Sequence, residues 1–222
     1  MTDRPTPRIS SRKLPQQARS TELVSAILEA AVQVLAKEGA HRFTTARVAE
    51  KAGVSVGSIY QYFPNKAAIL FRLQSDEWRE TTDLLKEILG DASSPPLERL
   101  RALVIAFIRS ECEEAEVRGA LDDAAPLYRD APEAQEARLS GTQTLLDFMI
   151  ELMPDTPDAD RALVGDLISN TLKQVGKSFS ETPRTEDEIE AYAGAMADMF
   201  QAYLVWIGWK NPRASDRRKP MI

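Results

Sequence analysis

The chain has 222 residues, enough for one large domain or two small ones and for a core that buries about 70% of the unfolded surface. Hydrophobic residues make up 43% and charged residues 28%, globular proportions that exclude a wholly disordered, collagenous or disulfide-framework protein. The net charge of −6 hides a division: residues 1–72 carry 11 Lys and Arg against 5 Asp and Glu, a net +6, while residues 73–222 carry 17 against 29, a net −12. A basic third on an acidic remainder suits a DNA-contacting module joined to a different one, and suits a solubilising tail equally well. The longest apolar runs, Ala102–Ile108 and Ala202–Trp209, fall far short of the roughly 20 residues that span a bilayer, so no membrane partner is expected. The single cysteine, Cys112, makes no internal disulfide, and no apolar stretch follows the N-terminal arginines, so the expected compartment is the cytoplasm.

Residues 1–18, with Pro5, Pro7 and Pro15 among Arg4, Arg8, Arg12 and Lys13, read as a flexible basic arm. Over Ser20–Lys37 the apolar positions Leu23, Ile27, Ala30 and Val34 recur every three or four residues, the pattern of an amphipathic helix, and Gly39 stops it. Two short helices follow, Thr45–Ala52 and Val56–Phe63, separated by Gly53-Val54-Ser55, and Pro64 ends the second. A long helix is expected over Lys66–Leu89, then a break from Gly90 to Pro96 and a helix from Leu97 to about Val117. A weaker stretch covers Arg118–Arg129, and helices follow over Glu133–Met153, Asp158–Phe179 and Glu186 to about Ile207. No strand pattern occurs, so the class is all-α.

The segment Thr44–Phe63 carries the functional signal. Either Thr44 or Thr45 can cap the first short helix, and Val48, Ala49 and Ala52 give it an inner face small enough for a second helix to cross closely. Gly53 supplies a left-handed turn and Ser55 a cap for the second helix. Ile59 and Phe63 bury that helix's inner face, leaving Ser55, Gly57, Ser58, Gln61 and Tyr62 outside, where they can enter a major groove. A plain helical hairpin would share much of this pattern. The offsets of Ala49, Gly53 and Ile59, inside the basic third, favour a helix-turn-helix.

With these residues in place, the sequence resembles the TetR family of one-component transcriptional regulators. The matching features are Ile27, Ala30, Ala31 and Gly39, then Phe43-Thr44-Thr45, Val48-Ala49, Ala52-Gly53-Val54-Ser55, Gly57, Ile59-Tyr60-Gln61-Tyr62-Phe63-Pro64-Asn65-Lys66 and Leu70. The resemblance is motif-specific over residues about 20 to 70; beyond that it rests on helix number and chain length. It implies a three-helix DNA-binding domain, here over 19–65, and a helical effector-binding and dimerisation domain over 66–210; residues 211–222 are read as a flexible tail. It further implies a homodimer formed through the last two helices, double-stranded DNA with an inverted-repeat operator, and a small-molecule effector. By position, Tyr60, Tyr62 and Lys66 are implied as phosphate contacts and Thr45 as a phosphate contact or cap. Arg47, Ser55, Val56, Ser58 and Gln61 are implied near bases. Ala46 stands where some members carry a longer polar reader.

From the residues themselves, Arg12 and Lys13 on the arm are expected to add phosphate contacts. Trp78, Phe107, Tyr128, Phe148, Met149, Met153, Leu172 and Phe179 are candidates for lining an apolar effector cavity, with plain core the commoner role of such residues. In the last helix Ile189, Met196 and Tyr203 alternate with Tyr192, Met199 and Trp206, and Phe200 and Ile207 add a second apolar edge. One stripe suffices for a core, so the surplus, paired with the helix bearing Val164, Ile168 and Val175, is expected to face a second copy. One histidine, His41, and one cysteine leave no catalytic triad, no metal site and no cofactor expected, and the glycines form no phosphate loop. The reading is a DNA-binding repressor released by an effector. An all-helical enzyme or cargo binder with an incidental basic N-terminus, or a regulator controlled by a protein partner, stays open.

Overall fold

The computed structural model describes residues 9–12 and 18–207; Lys13 and the expected tail lie outside them. The helices are α1 (Ala18–Arg42), α2 (Thr45–Ala52), α3 (Val56–Tyr62), α4 (Lys66–Gly90), α5 (Pro96–Glu113), α6 (Ala115–Ala124), α7 (Pro132–Leu152), α8 (Asp158–Ser180) and α9 (Glu186–Trp206). A single 3₁₀ turn, Ala125–Leu127, follows α6, and no strand occurs among the described residues. The all-α class therefore holds.

Local chemistry sets several boundaries. Gly39 at φ 70° breaks the helical geometry near the end of α1. Thr44 is extended and its hydroxyl accepts the Arg47 amide at 3.3 Å, capping α2. Gly53, left-handed at φ 68°, ends α2 with its amide turned back on the Ala49 and Glu50 carbonyls. The Ser55 hydroxyl accepts the Ser58 amide at 3.0 Å and starts α3. A reciprocal capping box between Thr185 and Glu188 starts α9.

One boundary differs from expectation. The helix expected to run from Leu97 to about Val117 is divided: at Glu114 the backbone leaves helical geometry, and α6 begins. The reason lies in the packing, because Phe107 and Ile108 before the break join one core and Leu121 and Ala124 after it join another. Two compact units result. The first holds Met1–Asp83 and Glu114–Thr142, the second Leu84–Glu113 and Gln143–Ile222.

In the first unit Ile27, Ala31, Leu35, Phe43, Val48, Ala49, Ile59, Phe63 and Leu70 are buried with Leu121, Ala124 and Tyr128. The Tyr128 hydroxyl lies 3.1 Å from both Gln74 Oε1 and the Leu121 carbonyl, and Arg118 pairs with Glu77 at 3.2 Å, so α4 and α6 are joined by polar as well as apolar contacts. Ile9, at 2% exposure, joins this core. Where the sequence reads as a free arm, this piece of it is packed, because a large aliphatic side chain finds an apolar site that local composition does not reveal.

In the second unit α5 and α9 run antiparallel, tied by Gln201 to the Leu97 carbonyl at 2.9 Å and by the ion pairs Arg101–Asp198 and Arg109–Glu186. Helix α8 packs closely through glycines: a Cβ at Gly165 would stand 3.2 Å from Met149 Cγ, and one at Gly176 3.2 Å from Ile108 Cδ1. Arg99 is buried here, donating to the Leu89 carbonyl and Glu151, with its guanidinium 5.3 Å from the Phe148 ring centre.

Candidate nucleic-acid interface

Helix α3 has two faces. Ile59, Tyr62 and Phe63 are buried, while Gly57, Tyr60 and Gln61, spaced i, i+3 and i+4, are exposed. The exposed stripe is polar or backbone and carries no acidic group. Tyr60 is 41% exposed and its hydroxyl lies 3.3 Å from Thr45 Oγ1 in the first turn of α2. Because Thr44 does the capping, the Thr45 hydroxyl is directed to Tyr60 instead. These two hydroxyls form one shared polar point where α2 meets the exposed stripe of α3.

Other expected contact residues are placed differently. Tyr62 is only 6% exposed and belongs to the core, so the expectation that it lies on the outer face is corrected: three positions after Ile59, it turns with it toward the interior. Arg47 is half-buried and paired with Glu38 of α1, which returns its charge to the fold. Ser55 and Ser58 bond each other at 2.8 Å, and Val56 is half-buried against the core. Lys66 is half-buried at the first residue of α4, beside Asn65, whose Oδ1 accepts the Ala68 amide at 2.9 Å. Arg12, expected on a free arm, donates its amide to the Tyr62 carbonyl at 2.7 Å and its side chain to the Tyr60 carbonyl at 3.3 Å.

The expected effector residues are divided between the two units. Trp78 and Tyr128 belong to the first unit, where Tyr128 is buried. Phe107, Phe148, Met149, Met153 and Leu172 are all buried in the core of the second. Phe179 stacks on Tyr192, with ring centres 4.0 Å apart, and carries the Arg184 guanidinium on it at 4.4 Å.

Of the residues expected to face a second copy, Val164, Ile168, Met196 and Phe200 are buried in the second unit's own core, and Val175, Tyr203 and Ile207 pack half-buried against it. Met199 is exposed. The apolar positions that do face outward are Leu163 and Leu167 of α8, with Tyr192, Met199, Val205 and Trp206 of α9. Sequence reasoning passed over Leu163 and Leu167. The only signal was their place beside Val164 and Ile168, two adjacent apolar pairs of which one helix face can bury only one member.

Two family matches cover most of the chain. Residues 27–73 match the family described as bacterial regulatory proteins, tetR family, and residues 95–207, just over half the chain, match the tetracyclin repressor-like C-terminal domain. Among curated relatives, the fatty acid metabolism regulator protein of Bacillus subtilis is 36% identical over 80 residues, 36% of this chain and 40% of that protein. The transcriptional repressor KstR of Rhodococcus jostii is 30% identical over 146 residues, 65% of this chain and 66% of that protein. The chain thus spans less than two thirds of the length of these relatives. Among solved structures, the transcriptional regulator FadR from Bacillus subtilis in complex with stearoyl-CoA shares the fold, with a TM-score of 0.63 at 19% identity over 80% of this chain and 97% of that one.

Proposed function

Because the chain belongs to the TetR family of bacterial regulatory proteins, we propose that it is a sequence-specific DNA-binding repressor that acts as a homodimer and leaves its operator when a small molecule binds. The observation that carries this reading is the exposed face of α3, where Gly57, Tyr60 and Gln61 stand opposite the buried Ile59, Tyr62 and Phe63 in the basic third of the chain. A short helix held by its apolar side and presenting polar groups without carboxylates suits a major groove.

The second copy covers the outward apolar face of α8 and α9. A Trp206 at 82% exposure and a Leu163 at 66% are large apolar surfaces left in water unless a partner buries them. A two-fold axis there places two reading helices on one duplex, about 34–36 Å or a multiple apart, and makes the operator an inverted repeat.

The effector is apolar or amphipathic and binds the helical second part. The FadR complex with stearoyl-CoA supports this class for the shared fold. By linkage, the molecule acts only if it binds the DNA-incompetent arrangement better. Selection of duplexes from a randomised pool, followed by titration of the winner with and without stearoyl-CoA, tests the reading. An enriched inverted repeat is expected; no enrichment of any sequence overturns the repressor, and an enriched site that stearoyl-CoA leaves bound overturns this effector class.

A further inference from the structure

Helix α3 is short and ends against a proline, which leaves its last carbonyls short of donors. In a continuing helix the Tyr60 carbonyl would accept the amide of residue 64, but Pro64 has no N–H. The Tyr62 carbonyl would accept from residue 66, which already belongs to α4. Both carbonyls are met by one residue from far away in sequence. Arg12 donates its amide to Tyr62 at 2.7 Å and its guanidinium to Tyr60 at 3.3 Å. A cation at this end also complements the helix dipole.

The residues before Arg12 are anchored independently. Ile9 is buried in the same apolar cluster as Tyr62, Phe63, Ala131 and Ala134. The Ser10 hydroxyl donates to Glu133 Oε1 at 2.6 Å in the first turn of α7, and this bond holds the Glu133 carboxyl below its ordinary value. Four consecutive residues therefore run from the start of α7 to the end of α3.

We propose that residues 9–12 are a strap that positions the reading helix on DNA, with Arg12 as its cap and Ile9 and Ser10 as its anchors. This rests on the DNA-binding reading above. It gives Arg12 a positioning part in place of the phosphate contact that its charge alone suggests, and it ties the aim of α3 to the first turn of α7.

The two parts separate by salt. A lost phosphate contact weakens all duplexes and makes the slope of log affinity against log salt shallower by about one. A loosened α3 weakens the preferred site and leaves the slope and random-duplex binding in place. The experiment titrates full-length wild type, Arg12→Ala, Ser10→Ala, Ile9→Ala and Ile9→Val against a duplex selected by the wild type from a randomised pool, and against a scrambled duplex, over a salt series. Arg12→Ala and Ser10→Ala are each expected to lose roughly three- to tenfold on the selected duplex, with unchanged slope and unchanged scrambled-duplex binding. Ile9→Ala follows them and Ile9→Val restores most of the affinity. Ser10→Ala binding like wild type, or Arg12→Ala flattening the slope on both duplexes, overturns the strap while leaving the repressor standing. A wild type that selects no duplex overturns both.

Discussion

The Tyr60 hydroxyl lies 3.3 Å from the Thr45 hydroxyl, joining the exposed stripe of α3 to the first turn of α2. Removing either hydroxyl leaves the other without this partner, so the two act as one contact. Tyr60→Phe is expected to weaken specific and scrambled duplexes alike by about 1 kcal/mol, and Thr45→Ala added to it to cost little more. Fluorescence anisotropy on the four proteins of this cycle checks it; fully additive losses would show two independent contacts.

Lys66 and Gln61 are expected to separate affinity from selectivity. Lys66→Ala flattens the salt dependence by about one unit on every duplex. Gln61→Ala costs about 1–3 kcal/mol on the preferred site and leaves scrambled DNA nearly unchanged. Competition titrations at two salt concentrations distinguish the two patterns.

On α8 and α9, inward and outward apolar residues are expected to fail in different ways. Leu167→Glu places a charge on the outward face and is expected to give a folded monomer by light scattering at micromolar concentration. Met196→Ala, in the second unit's own core, is expected to cost about 2–5 kcal/mol of stability instead. A dimer surviving both Leu167→Glu and Trp206→Ala would place the interface elsewhere.

At Gly176 an added Cβ would stand 3.2 Å from Ile108 Cδ1 and 3.3 Å from Glu111 Cγ and Phe107 Cε1. Gly176→Val is therefore expected to force α8 away from α5 and to destabilise by about 1–3 kcal/mol. Calorimetry is expected to show the midpoint lowered by about 2–4 °C for each kcal/mol.

Glu188 accepts the Thr185 amide at 2.8 Å, and that bond holds its carboxyl below the ordinary value. The unfolded chain then takes up the proton more readily, so the cap's stabilisation is present above the unfolded value and is lost as pH falls through the folded one. Wild type is expected to melt higher than Glu188→Gln near neutral pH, with the gap closing as the pH falls through the lowered folded-state value. A gap that stays constant with pH would remove the carboxylate from the cap's contribution.

Much of the helix-turn-helix was legible in the residues. Periodic apolar positions place α1, Gly53 ends α2, Ser55 starts α3 and Ile59 with Phe63 marks the buried side, because caps, left-handed glycines and helical spacing act within a few residues. The outcome at Tyr62 was less legible. It sits at the edge between the two faces of α3, and its amphipathic side chain suits either water or core until the neighbouring helices close over it.

Sequence by itself determined that this chain is helical, that its basic third carries a helix-turn-helix, and that its last helix has more apolar surface than one core needs. Tertiary structure decided which residues meet which neighbours. Leu163 and Val164 are equally apolar, and only the rotation of α8, set by the close approach at Gly165 and Gly176, sends Val164 inward and leaves Leu163 outside. Ile9 and Arg12 look like part of a free tail because their partners, Tyr60, Tyr62 and the core around Ala134, lie some 50 to 125 residues away in sequence. Contacts at such separations leave no local pattern, since each depends on where another helix comes to rest.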